Sequence, residues 1–160
     1  MATRELLDQF KEEFGVASCD IGAIYDVDCD IFSPCALGGT ICLESIQRIT
    51  APIIAGSANN QLAHLRVAEL LKQQNRLYAP DFVINSGGLI NAAIVYGYQD
   101  ATQADKKIEQ LEETMLTLYE TAARDDLNTL AVAQKIALQK LADASGHPEL
   151  QPARHLQHQE

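Results

Sequence analysis

Near the N-terminus, Leu6, Leu7, Phe10 and Phe14 recur at helical spacing with polar residues between them, and Gly15 follows as a stop. A short segment, 16–24, leads to Cys29-Asp30-Ile31-Phe32-Ser33, which reads as a strand entering the loop 34–39. Thr40 or a neighbour then caps a short helix over 43–48. The continuous apolar run Ala51-Pro52-Ile53-Ile54-Ala55-Gly56 has the character of a strand buried on both faces, as in a parallel sheet covered by helices. The loop 57–60 precedes a helix over 61–74 carrying Leu62, Leu65 and Leu71. Leu77-Tyr78-Ala79 makes another strand, closed by Pro80-Asp81, and residues 82–85 run on to Gly87-Gly88, with a further helix beginning near Leu89.

Helix, strand, helix, strand, helix, strand is the order of an α/β domain with a mainly parallel sheet. Ligands of such sheets bind beyond the carboxyl ends of the strands. The loops 34–39, 57–60 and 85–88 each follow a strand, so all three are expected on one edge. The rest of the chain differs in kind. Residues 104–123 place Ile108, Leu111, Met115, Leu118 and Ala122 on one stripe, with Asp100 or Thr102 available as a cap. A second helix over 130–144 carries Leu130, Ala133, Ile136, Ala137 and Leu141. Their short connection, 124–128, predicts an antiparallel pair. Residues 146–160 are polar, contain Pro148 and Pro152, and read as a disordered tail.

Charge narrows the functions. The 160 residues carry 22 acidic and 12 basic side chains, a formal net charge of −10. That balance offers no footprint for phosphate backbones or anionic lipid, so neither nucleic acid nor membrane is an expected partner. No apolar run approaches the ~20 residues that span a bilayer, and the polar first residues do not resemble a signal peptide. Cytoplasmic localisation follows as the expectation.

Candidate chemistry is sparse. Cys19, Cys29, Cys35 and Cys42 contain no C-x-x-C pair, and are expected to be reduced residues acting as small hydrophobes. His64 has no second ligand at i+4, and His147, His155 and His158 fall in the tail. Asp26, Asp28 and Asp30 alternate as in part of a calcium loop, but the Gly and terminal Glu at the required offsets are missing. They read as solvated or strand-edge carboxylates, and no metal site is expected. Asn59 and Asn60 offer paired amides suited to a ribose hydroxyl or a carboxamide; the plainer alternative is that one of them caps the next helix. Gly87-Gly88 and Gly38-Gly39 permit close backbone approach or positive φ, or simply make turns.

Three motifs occur together: Cys29-Asp30-Ile31-Phe32-Ser33-Pro34-Cys35-Ala36-Leu37-Gly38-Gly39, Ile54-Ala55-Gly56-Ser57-Ala58-Asn59-Asn60-Gln61-Leu62 and Tyr78-Ala79-Pro80-Asp81-Phe82-Val83-Ile84-Asn85-Ser86-Gly87-Gly88. In this order they resemble the C-terminal, NAD-binding part of the leucine, phenylalanine, valine and glutamate dehydrogenases, and most nearly the leucine/phenylalanine/valine branch. The resemblance runs from about residue 4 to about residue 143. It implies a partial Rossmann-like sheet lacking its first βαβ unit: a truncated dinucleotide-binding domain over 1–98, closed by the helical pair in 99–145. It also implies oxidative deamination of a branched-chain or aromatic L-amino acid to the 2-oxo acid and ammonia, with hydride passing to NAD. Under the same resemblance Cys35, Ala36 and Leu37 flank a cofactor ribose, and Asn59, Asn60 and Asn85 surround the nicotinamide end. Leu89 and Ala92 line the substrate side-chain pocket.

Two parts of the family's pattern have no counterpart in these residues. The sequence contains no G-x-G turn to receive a pyrophosphate at a helix N-terminus. Nor can any of its lysines or aspartates be mapped onto those that bind the substrate carboxylate and move protons, so no catalytic residue is assigned. The leading expectation is therefore the cofactor-domain portion of an amino-acid dehydrogenase, inactive alone and binding NAD weakly or not at all. The alternatives are a non-catalytic dehydrogenase-derived binding or assembly module, or one half of a split enzyme. A half-sheet exposes apolar surface, so the chain is expected to self-associate as a homo-oligomer or to pair with a complementary N-terminal catalytic chain.

Overall fold

The computed structural model describes residues 4–97 and 101–145. Helix α1 (Arg4–Phe14) is followed by a six-residue 3-10 helix, Ile21–Asp26. Strand β1 (Ile31–Phe32), a single 3-10 turn at Ser45–Gln47 and strand β2 (Ile53–Ile54) come next. Helix α2 (Leu65–Gln73) leads to β3 (Leu77–Tyr78) and then to two short helices, α3 (Asp81–Ile84) and α4 (Gly87–Val95). The long helices α5 (Ala101–Arg124) and α6 (Thr129–Ser145) complete the described chain. All three strands are parallel in the order β1-β2-β3, with Ile31 beside Ile53 and Ile53 beside Leu77. A parallel bridge between Ile41 and Leu62 lies outside these strands. The fold is the expected α/β arrangement with a small parallel sheet and two closing helices.

Apolar burial holds the sheet. Ile41, Ile46, Ile49, Ile54, Val67 and Leu71 form one cluster beneath it with Tyr78, and each fully buried aliphatic side chain contributes about 1.5–3 kcal/mol. A second cluster, Leu118, Ala122, Val132 and Ala133, joins α5 to α6 and is flanked by Val83 of α3. The connection between these helices is fixed where Asn128 Oδ1 accepts from the Ala131 amide as an N-cap. The Asn128 amide donates to Glu69, Thr129 Oγ1 donates to the Tyr78 carbonyl at 2.7 Å, and Lys72 pairs with Asp126 at 2.9 Å. These polar ties bring the helical pair to α2 and β3.

Several local expectations are corrected. The helix expected over 61–74 starts only at Leu65, because Gln61 and Leu62 stay extended to bond with the Ile41 segment. Neither Asn59 nor Asn60 caps it; His64 occupies that position without a side-chain cap bond. The helix expected over 43–48 shrinks to one 3-10 turn, and Ser45 rather than Thr40 closes it: Ser45 Oγ accepts from the Cys42 amide and donates to the Thr40 carbonyl, both at 2.8 Å. Helix α4 begins at Gly87, two residues before Leu89. Neither Gly87 nor Gly88 has positive φ, and a Cβ on either would meet open space. Thr102 is the second residue of α5 rather than the residue preceding it.

Asp26 is not a free carboxylate. Arg48 Nε and an Arg48 Nη donate to its two oxygens at 2.9 and 2.6 Å, while the guanidinium lies over the Tyr25 ring at 5.4 Å and also reaches the Gly22 carbonyl. The hydrogen bond to Arg48 holds the Asp26 carboxyl below its ordinary value. The cysteines are free, but Cys19 and Cys35 are exposed rather than packed as hydrophobes. The stripe expected on α1 forms and stays uncovered, for none of its residues is buried. The expected tail over 146–160 and the Asp100 cap lie outside the described residues.

Gly56 ends β2 against the Pro34 backbone. A Cβ there would sit 2.6 Å from the Pro34 nitrogen and 2.7 Å from its carbonyl carbon, with the carbonyl oxygen closer still. Gly56→Ala therefore forces the two loops apart and is expected to cost about 3 kcal/mol of unfolding free energy. Urea denaturation measures this, and an unchanged midpoint would contradict the packing described.

Candidate functional site

The carboxyl ends of the three strands feed three segments that meet. After β1 the chain enters 34–39, after β2 it enters 57–60, and after β3 the short helix α3 delivers Asn85. The Ala58 amide donates to the Pro34 carbonyl at 3.0 Å, and the Gly39 amide donates to the Asn60 carbonyl at 2.7 Å. Asn85 Nδ2 donates to Asn59 Oδ1 at 2.7 Å and lies 3.4 Å from the Ser57 carbonyl. The common edge expected of these loops is thus present.

Local backbone geometry explains the closeness. Asn60 has φ +52°, a left-handed conformation that asparagine tolerates better than most residues. That turn points the Asn59 and Asn60 carbonyls at Gly38, where a Cβ would fall 2.7 and 3.0 Å from them. A side chain at Gly38 would push the loops apart.

Beneath the loops lies Gln61, fully buried. Its Nε2 donates to the Gly56 carbonyl at 2.6 Å and to the Ala58 carbonyl at 2.9 Å. Its backbone amide donates to Asp81 Oδ2 at 2.9 Å, and its backbone carbonyl accepts from Ile41. Asp81 Oδ1 in turn accepts from the Phe82 amide, starting α3. Gln61, Asp81 and Ser57 were not singled out as site residues from the sequence. The signal for the first two was their place inside the asparagine and Pro80-Asp81 motifs.

Asn59, Asn60 and Asn85 are brought together, and Cys35 joins them through Ser57. The Cys35 thiol lies 3.3 Å from the Ser33 hydroxyl. Hydrogen bonding from Ser33, and then from the backbone and side chain of Ser57, lowers its pKa below the ordinary thiol value against a small opposing effect of burial. Ala36 is exposed and Leu37 is 74% exposed. Leu37 rims a groove of about 440 Å³ bordered by Ile24, Val27, Ile31 and Cys35. Leu89 and Ala92, three apart, share one face of α4; Ala92 is half-buried and Leu89 is 75% exposed. The described residues hold no group of three or more His, Cys, Asp or Glu side chains able to take a metal ion. No helix among them is long and apolar enough to cross a membrane.

Chemically, the assembly offers amide donors and acceptors from Asn59 and Asn85 and one thiol. It suits a neutral carboxamide or sugar hydroxyls better than a phosphate, for no basic side chain belongs to it.

The family model described as Glutamate/Leucine/Phenylalanine/Valine dehydrogenase matches residues 2–147. The chain is similar to the leucine dehydrogenase of Geobacillus stearothermophilus, 40% identical over 156 residues that make up 96% of this chain and 42% of that protein. It is also 40% identical to the leucine dehydrogenase of Bacillus cereus over 87% of this chain and 38% of that protein. Among solved structures, the L-tryptophan dehydrogenase from Nostoc punctiforme superposes with a TM-score of 0.80 and 34% identity, covering 90% of this chain and 44% of that one. The chain therefore spans about two-fifths of the length of the curated relatives it matches.

Ser33→Ala removes the largest influence on the Cys35 thiol, so its titration midpoint is expected to move up toward the ordinary thiol range. Iodoacetamide alkylation followed across pH, with Cys35 resolved by peptide mass, reads the shift. An unmoved midpoint would contradict the contact.

Proposed function

The chain belongs to the glutamate/leucine/phenylalanine/valine dehydrogenase family, and from that premise we propose that it supplies the nicotinamide-side portion of the cofactor domain of an NAD-dependent L-amino-acid dehydrogenase. The reaction of the complete enzyme is the oxidative deamination of a branched-chain or aromatic amino acid to the 2-oxo acid and ammonia. The observation that carries this reading is the Asn59–Asn85 amide pair, set at the carboxyl ends of a parallel sheet, where α/β folds bind nucleotides.

The residues fit one end of a dinucleotide. Asn59, Asn60 and Asn85 hold the carboxamide and ribose of the nicotinamide, with Cys35, Ala36 and Leu37 along the ribose edge. NAD, when bound, supplies the hydride acceptor. The other end does not fit, because no G-x-G turn is present to take the pyrophosphate. The chain's own contribution is positional: Gln61 fixes the carbonyls of Gly56 and Ala58, and Asp81 fixes the entry to α3, so that Asn59 and Asn85 are held in place before the cofactor arrives. Leu89 and Ala92 present an apolar helix face to the substrate side chain, suited to leucine, valine or an aromatic amino acid rather than glutamate. Proton transfer and carboxylate binding fall to groups outside this chain. The domain division follows: residues 1–98 form the incomplete nucleotide-binding part, and 99–145 close it. NAD binding by this chain alone is weak or absent, and a complementary N-terminal catalytic portion is its working partner, with the whole oligomeric and cytoplasmic.

Titration of the chain with NAD, followed by backbone NMR, tests the reading. The expected dissociation constant is on the order of 1 mM or weaker, with perturbations confined to 35–38, 57–60 and 85–86, and their loss in Asn85→Ala. Perturbations centred elsewhere would overturn the assignment. With L-leucine or L-phenylalanine and NAD, the pure chain is expected to form no NADH above background.

A further inference from the structure

Where α3 and α4 meet the helical pair, the packing leaves a cavity of about 380 Å³, within the ~300–1,000 Å³ range of ligand pockets. Phe82 and Val83 border it from α3, and Ile90 from α4. On α5 the border runs through Lys107, Leu111 and Thr114, and on α6 through Ala133, Ile136 and Lys140. Spacings of three and four put each set on one helix face. The two ends of the cavity differ. Helix α5 begins at Ala101 and α6 ends at Ser145, so Lys107 and Lys140 share the end far from the 125–128 connection. Thr114 and Ala133 lie nearer that connection, where Val83 flanks the apolar cluster of Leu118, Ala122, Val132 and Ala133. The lysine end and the apolar end are ~10 Å apart along the helix axes, seven residues of rise.

The charges at the lysine end are unspent. In a chain of formal net charge −10, cations have carboxylates to choose from, and Lys11, Arg48, Lys72 and Arg124 each pair with an aspartate. Neither Lys107 nor Lys140 takes part in an ion pair among the described residues. Asp143, the next acidic residue along α6, accepts from Gln139 instead. No carboxylate borders the cavity, and the Ser86 hydroxyl on its wall is already committed to the Val83 carbonyl. Apolar walls with two unpaired ammonium groups at one end complement a molecule divided in the same way. A wholly neutral ligand would leave the lysines unused, and a polyanion would find no further cation on the border.

We infer that this cavity binds an apolar monocarboxylate. Lys107 and Lys140 pair with its carboxylate, while Phe82, Ile90, Leu111 and Ile136 enclose a body up to ~10 Å long. Two sources supply that chemistry, a medium-chain fatty acid and the branched 2-oxo acid of the reaction proposed above. An occupant lies against Ile90 of α4, whereas Leu89 and Ala92 occupy a different face of the same helix. It also reaches Ser86, the residue after Asn85.

Backbone NMR of the full chain, titrated separately with octanoate and with 4-methyl-2-oxopentanoate, tests this. At least one of the two is expected to bind with a dissociation constant on the order of 1 mM or tighter, shifting amides over 82–90, 107–114 and 133–140. The tighter of the two identifies the source, fatty acid or 2-oxo acid. Lys107→Gln combined with Lys140→Gln is expected to weaken binding roughly tenfold. Ala137→Leu, which adds bulk on the cavity wall and leaves both charges, is expected to weaken it similarly, with circular dichroism checking that each variant folds. No saturable shift with either compound, shifts centred on other residues, or an unchanged affinity in the folded lysine variant would each overturn the inference. The NAD titration, read at 57–60 and 85–86, stands or falls separately, so failure of the cofactor reading and failure of this one are distinguishable.

Discussion

Gln61 ties the exits of β2 and β3 to the Ile41 segment that follows β1. Its side-chain amide holds the Gly56 and Ala58 carbonyls at the exit of β2, its backbone amide meets Asp81 at the exit of β3, and its carbonyl receives Ile41. Buried donors left without partners cost about 1–3 kcal/mol each, so these bonds leave few alternative paths for the loops above. The left-handed turn at Asn60, the approach of its carbonyl to Gly38 and the reach of Asn85 to Asn59 all follow from where Gln61 holds the chain.

Much of the architecture was legible because it rests on periodicity and composition. The run 51–56 announced the central strand but not its cover, for Ile54 is buried while Ile53 is only half-buried and Pro52 exposed, and the Leu118–Ala122 and Leu130–Ala133 spacings announced two packed helices. Boundaries failed where a tertiary bond outweighed local preference. Gln61 and Leu62 have helix-compatible side chains but stay extended, because the backbone groups of Gln61 bond to Ile41 and Asp81 and the Ala63 amide bonds to the Ile41 carbonyl. Gly87 and Gly88 looked like a loop, and the helix runs through them because Ser86 and Asn85 complete the turn first.

The candidate site was legible unevenly. Asn59, Asn60 and Asn85 stood out as polar residues at strand ends, and family resemblance linked them. Gln61 and Asp81 did not, for a buried glutamine or aspartate has no periodic signature and its partners lie up to 20 residues away in sequence. The exposure of α1 was also hidden: its spacing shows an apolar face but not whether anything covers it.

The proposed function makes this chain the cofactor-domain portion of a longer amino-acid dehydrogenase. Mass spectrometry of the native species carrying this sequence, isolated from its source cells, tests that most directly. The account predicts that it travels with dehydrogenase N-terminal sequence, in one polypeptide or in a stoichiometric complex. A free 160-residue chain without such sequence would contradict it.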